Sequence, residues 1–168
     1  KAGSVLLISG EGGSGKTTLA CLFAKWAMEE NPSRRIAPHL MLPVLIEQDL
    51  DNPEYQAGSP RLLAHIRGKL HSLIGAECEI PDVLLQRLLR RKRVLVIVDH
   101  LSELSSDTRA QLRFEASEFW PGAVIVTSRV METLNHVPRH VILPMRIAGN
   151  QLTHFMDAYL VARGKRSS

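Results

Sequence analysis

The sequence predicts a three-layer α/β fold on a mostly parallel sheet of about five strands, and three observations carry that expectation. Short apolar runs alternate with amphipathic stretches along the chain. The run at 94–98 is apolar without a break, the pattern of a strand covered by helices on both faces, and 123–127 reads as the next buried strand. The first apolar run opens directly into a glycine-rich turn and then a helical pattern.

Taken in order, residues 4–9 form the first strand, and a helix at about 15–30 carries Leu19, Leu22, Phe23, Trp26 and Ala27 on one face. Asn31-Pro32 ends it. Residues 40–47 form the second strand; Pro43, with no N–H for a ladder, points to an edge or an irregular start. A loop rich in Asp, Asn, Pro and Gly covers 49–59, followed by helices at about 60–74 and 81–91. The strand at 94–98 is followed by a helix at 106–119 that stops at Pro121-Gly122. The strand at 123–127, a short last strand at 140–143 and an amphipathic helix at 151–162 complete the order.

With 168 residues, 45% of them apolar and 23% charged, the chain suits one domain spanning residues 1–168 with a sizeable core. It begins at Lys1 with the first strand close behind, as a domain excised from a longer multidomain protein would. No apolar run approaches the ~20 residues of a membrane span, and no secretory leader is visible. Cys21 and Cys78 lack CxxC spacing, and Cys21 on the first helix reads as a buried thiol. A reduced, cytoplasmic setting follows.

The net charge of +4 and pI near 9.4 raise nucleic acid as a partner. Their distribution argues against it. Arg87, Arg90, Arg91, Lys92 and Arg93 gather at a predicted helix end, where cations complement the helix dipole, and Arg163, Lys165 and Arg166 lie in a polar tail. Two Trp, two Tyr and four Phe leave no aromatic interleaving for stacked bases.

The strongest motif is Gly10-Glu11-Gly12-Gly13-Ser14-Gly15-Lys16-Thr17, a G-x-x-x-x-G-K-T run between a strand and a helix. Glycines without Cβ let backbone N–H groups curl around phosphate oxygens. Lys16 would neutralise the β- and γ-phosphates, Thr17 would direct its hydroxyl to Mg²⁺, and Thr18 would reach the α-phosphate. The run VLVIVD ends in Asp99, which emerges at the carboxyl end of a parallel strand beside that loop, as a magnesium partner of Thr17. For activation of the attacking water the candidates are Glu103 and His100. The run VIVTSR places Thr127, Ser128 and Arg129 at a strand end between the magnesium acid and the nucleotide; the two hydroxyls can hydrogen-bond, and Arg129 can fork to γ-phosphate oxygens.

Other clusters point elsewhere. Glu47, Asp49 and Asp51 face water or edge the magnesium site. His136 and His140 have i, i+4 spacing, but Pro138 between them and the lack of a third ligand argue against zinc. Asn31-Pro32-Ser33 is no glycosylation acceptor, since proline holds its middle position.

The runs GEGGSGKTTLACLFAKWA, LPVLIEQDL, VLVIVDHLSEL, VIVTSR, ILPM and QLTHFMDAYL, in that order, resemble the nucleotide-binding core of NACHT-type STAND NTPases over nearly the whole chain. The phosphate loop alone specifies a P-loop NTPase fold, and the TSR strand end with its spacing to the last helix narrows the likeness to STAND. The resemblance implies that Lys16 and Thr17 are the Walker A pair, Asp99 the Walker B acid and Arg129 the sensor arginine. Where the family commonly carries D-G-x-D-E, this chain has His100 for the glycine and Ser102 for the second acid, while Glu103 keeps the last. That departure implies ATP hydrolysis that is slow or absent. The family further implies a switch in which ADP holds a closed monomer and exchange for ATP opens it and permits homo-oligomerisation. Helical and winged-helix modules of the same chain would complete the nucleotide pocket, beside effector and sensor regions, so residues 1–168 alone should bind nucleotide weakly. Rival readings are an AAA+-like or helicase-related nucleic-acid motor, a small-molecule kinase, and a nucleotide-binding scaffold without turnover.

Overall fold

The computed structural model describes residues 5–50, 61–75, 80–112, 121–146 and 149–162. Five strands form one parallel sheet: β1 (Val5–Ser9), β2 (Leu42–Ile46), β3 (Val94–Val98), β4 (Val124–Ser128) and β5 (Arg139–Ile142), in the spatial order β2-β3-β4-β1-β5. Every pairing is parallel. The helices are α1 (Lys16–Ala27), α2 (Arg61–Ile74), α3 (Asp82–Arg90), α4 (Ser106–Gln111) and α5 (Gly149–Ala162), with short 3₁₀ turns at Leu101–Glu103 and Leu134–His136.

Side-chain parity along the strands sorts the core into two layers. Val5 and Leu7 of β1, Val44 and Ile46 of β2, Val94, Val96 and Val98 of β3, and Val124 and Val126 of β4 face one way. They pack with Leu63, Ile66 and Leu70 of α2 and Leu85 and Leu89 of α3. The alternate residues Ile8, Leu95, Ile97 and Ile125 turn to the other face and meet Ala20 and Ala27 of α1. Helices on both faces of a parallel sheet make the three layers the sequence predicts. Because β3 and β4 are interior strands covered twice, all five residues of each are buried. Pro43 lies on β2, an edge of the sheet, where its missing N–H costs no ladder bond on the open side.

Several boundaries and faces differ from the sequence reading. The first helix ends at Ala27, with Met28 as its cap, three residues before the expected stop. Arg35 then closes the chain beyond it, donating from Nε to Glu29 O and from Nη2 to Glu30 O, both at 2.6 Å. Leu22 and Trp26 are exposed, because the stripe of α1 that meets the sheet is the narrow Ala20/Ala27 line flanked by Leu19, Phe23 and Ala24. Cys21, one position off that stripe, is exposed and free rather than a buried thiol. On α5 the apolar Leu152, Phe155, Met156 and Tyr159 are likewise exposed. Asp51, Cys78, the loop beyond Leu50, the helical stretch expected beyond Leu112 and the basic tail at 163–166 lie outside the described residues. No helix among the described residues is long and apolar enough to cross a membrane.

The polarity of the sheet positions the site. β1, β3 and β4 all run the same way, so their C-terminal residues Ser9, Val98 and Ser128 deliver residues 10–18, 99–103 and 129 to one edge. The exposed basic group at Arg90 to Arg93 lies before β3, at the opposite end of that strand from Asp99.

Candidate functional site

The loop between β1 and α1 is held at its base by Gly10 N–H, which donates to Ser128 O at 3.2 Å and so carries the β1/β4 pairing one residue further. Gly13 and Gly15 have φ of 76° and 83°, the left-handed region that L side chains rarely adopt. A Cβ at Gly10 would meet Ser14 Oγ at 3.1 Å, so glycine there allows the loop to close on itself. Gly15 caps α1 without a side-chain hydrogen bond, and the first turn of the helix holds no acid. The helix N-terminus, with its orphan N–H groups and partial positive charge, therefore opens onto the loop.

Lys16 is buried although it carries a charge, and its Nζ donates to Gly10 O at 2.7 Å and Glu11 O at 2.8 Å. Both acceptors are carbonyls of the loop, so the ammonium sits within it. Ser14 Oγ is buried with no hydrogen-bond partner among the described residues. Thr17 and Thr18 are exposed at the start of α1.

The end of β3 meets this loop. Asp99 is 2% exposed, and its Oδ2 accepts from Thr17 Oγ1 at 2.9 Å across 82 residues of sequence. Oδ1 of the same carboxylate accepts from Thr127 Oγ1, the last but one residue of β4, and His100 Nδ1 lies 3.2 Å from Oδ2. Asp99 N–H donates to Ile46 O at 2.8 Å, which fixes its backbone against β2. His100 adopts φ 56° and ψ 40°, left-handed geometry costly for any residue but glycine. Its position in the D-G-x-D-E comparison is the glycine, and the conformation accounts for glycine's use there.

Beyond His100 a 3₁₀ turn, Leu101–Glu103, sends Glu103 toward β4. Glu103 Oε1 and Arg129 Nε form an ion pair at 2.8 Å, with both side chains substantially exposed. Arg129 N–H donates to Ser102 Oγ at 3.2 Å, so the chain after β4 is tied to that turn twice. Asp49 joins from the end of β2: its Oδ1 accepts the Ser105 N–H at 2.8 Å, and hydrogen bonds from Ser105 hold its carboxyl below the ordinary range. Glu47 is exposed to water.

Three relationships go beyond the sequence reading. Thr127 and Ser128 spend their hydroxyls on carboxylates, Thr127 on Asp99 and Ser128 on Glu132 Oε1 at 2.9 Å. Glu132, itself buried, takes Arg109 Nη2 of α4 on its other oxygen at 2.9 Å. Arg146, after β5, pairs with Glu11 Oε2 at 2.9 Å and donates to Gly12 O at 3.1 Å, reaching the phosphate loop from 134 residues away. Only the TSR string hinted at the first; nothing in local sequence signals the other two. No cluster of three or more His, Cys, Asp or Glu suited to a metal exists among the described residues.

The profile of the NACHT domain family matches residues 4–144. Among solved structures, a Signal Transduction ATPase with Numerous Domains (STAND) protein with a tetratricopeptide repeat sensor from Pyrococcus horikoshii is similar at 18% identity and TM-score 0.48, over 99% of this chain and 24% of that one. The ORC2 protein of Aeropyrum pernix, solved as ADPNP-ADP complexes, is similar at 14% identity and TM-score 0.46, over 95% of this chain and 46% of that one. The chain thus spans less than half the length of either. No curated protein matches the sequence.

Proposed function

The chain belongs to the NACHT domain family, and on that premise we propose that it binds ATP and ADP with Mg²⁺ and works as the nucleotide-reading part of a signalling switch in a larger protein. The observation that carries this reading is the 2.9 Å contact between Thr17 Oγ1 and Asp99 Oδ2, which unites the phosphate loop with the acid at the end of β3. A hydroxyl and a carboxylate are hard oxygen donors, suited to Mg²⁺ held jointly with phosphates rather than in an all-protein cage. The loop also fits a polyphosphate. Left-handed Gly13 and Gly15, an uncapped helix N-terminus and the unpartnered Ser14 hydroxyl all present donors to an anion.

Residues 10–18 would wrap the phosphates, and Lys16 would exchange its two loop carbonyls for β- and γ-phosphate oxygens. Thr17 and Asp99 would hold Mg²⁺, whose contribution is to neutralise charge on the phosphates. Arg129 would trade Glu103 for the γ-phosphate. That exchange gives ATP and ADP unequal free energies of binding, which any nucleotide switch requires. It also releases the Glu103 side chain from the ion pair, free to turn toward the attacking water. His100 is less suited to that task, with Nδ1 beside Asp99. Hydrolysis in this reading is slow, and the ATP form opens the parent protein for oligomerisation through its further domains.

The test is calorimetric titration of ATP and ADP, with and without Mg²⁺, into the full-length protein and Lys16→Ala. We expect the substitution to weaken binding by at least about 10-fold, the worth of a charge-assisted hydrogen bond. Unchanged affinity in Lys16→Ala would remove the loop from the function.

A further inference from the structure

Thr127 has no exposed surface, and it lies on β4, the central strand of the five, opposite Ile8 of β1, so its backbone sits in the middle of the sheet. Its hydroxyl makes two hydrogen bonds whose directions are forced. His100 N–H, at 2.9 Å, has only a proton to give, so Thr127 Oγ1 accepts there. The Asp99 carboxylate has only lone pairs, so Thr127 gives its single proton to Oδ1. One side chain on β4 thereby clamps two consecutive residues at the end of β3.

We propose that Thr127 is the positioning residue for the magnesium acid, a role that rests on the assignment of Asp99 to Mg²⁺. With Oδ1 pinned by Thr127, the carboxylate plane is set and Oδ2 is the oxygen nearer Thr17 Oγ1, at 2.9 Å against 3.3 Å for Oδ1. The β-branched side chain has few χ1 states, which makes it a stiff support. The same hydroxyl anchors the N–H of His100 in its left-handed conformation, and so sets the direction in which the chain leaves β3 for the turn that carries Glu103. Thr127 touches neither the phosphate loop nor the proposed nucleotide through this hydroxyl; it acts through Asp99. Partners of a ligating carboxylate commonly contribute 10- to 100-fold to metal affinity, roughly the size of effect at stake here.

The experiment titrates Mg²⁺ against binding of a fluorescent ATP analogue to the full-length protein, and repeats the binding in EDTA. Thr127→Val keeps the shape and loses the hydroxyl; Thr127→Ser keeps the hydroxyl. We expect Thr127→Val to raise the half-saturating Mg²⁺ concentration by about 10- to 100-fold, with affinity in EDTA within about twofold of wild type and Thr127→Ser within about threefold throughout. If the valine protein does not fold, Thr127→Ala, checked by its melting transition, takes its place as the hydroxyl-free variant. An unchanged Mg²⁺ requirement in the folded hydroxyl-free variant overturns the proposal, as does an equal loss of affinity with and without the metal. Asp99→Asn separates the two layers of inference. If it alters the Mg²⁺ requirement while Thr127→Val does not, only the role of Thr127 fails; if it leaves the requirement unchanged, the magnesium assignment fails and the positioning role with it.

Discussion

Arg129 Nε stands 2.8 Å from Glu103 Oε1, so the arginine proposed to read the γ-phosphate and the carboxylate proposed to accept a proton from water hold each other. Their side chains are 59% and 44% exposed, and water screens such a pair to a contribution of about 0–1 kcal/mol. A γ-phosphate carrying more charge than a carboxylate can displace Glu103 at little cost. The pair is weak enough to yield and close enough to keep both groups idle until it does.

Replacement of Arg129 by Ala should therefore discriminate between nucleotides. We expect ATP affinity to fall about 10- to 100-fold, the value of a hydrogen bond to a charged group, with ADP affinity nearly unchanged. Calorimetry with both nucleotides reads this directly, and equal losses for the two would contradict a γ-phosphate contact.

Glu103→Gln preserves shape while removing the proton acceptor. Release of γ-phosphate should slow by about 100-fold or more while ATP binding persists. Single-turnover release measurements give the rate, and retained hydrolysis in Glu103→Gln with loss in His100→Gln would assign the role to His100 instead.

The half-buried His65 on α2 gives the fold an acid limit. Burial first, and the charge of Lys69 second, lower its pKa below the ordinary 6.5, so the folded state prefers the neutral ring. The unfolded chain then binds more protons, and stability is full above 6.5 and lost as pH falls from there through the lower folded pKa. Denaturation midpoints at pH about 7.5 and about 5.5 should show the decline in wild type and a smaller one in His65→Gln.

Much of this molecule is legible along the chain because it rests on local rules. Strict alternation of faces in 94–98 and 124–128 follows from the twofold repeat of a strand, and Pro43 marks an edge because it lacks a donor. The phosphate loop is legible because left-handed backbone at Gly13 and Gly15 requires glycine. Less legible is how much of a helix face is covered. Periodicity aligned Leu22 and Trp26 with Ala27, yet α1 approaches the sheet along its alanines, and the large residues stay in water.

Family membership and the string of candidate groups, Lys16, Thr17, Asp99, Glu103 and Arg129, are legible in the sequence alone, because each stands in or just after a short apolar run whose end a parallel sheet turns to one edge. Which group holds which was decided only in three dimensions. Thr127 turns to Asp99, Arg129 to Glu103, Ser128 to Glu132, and Arg146 crosses to the Glu11 side chain. Three of these choices depend on the side-by-side placement of β3, β4, β1 and β5, while Ser128 and Glu132 are only four residues apart and meet locally at the end of β4. A hydroxyl or guanidinium bonds the acceptor nearest in space, and that distance is set by the sheet.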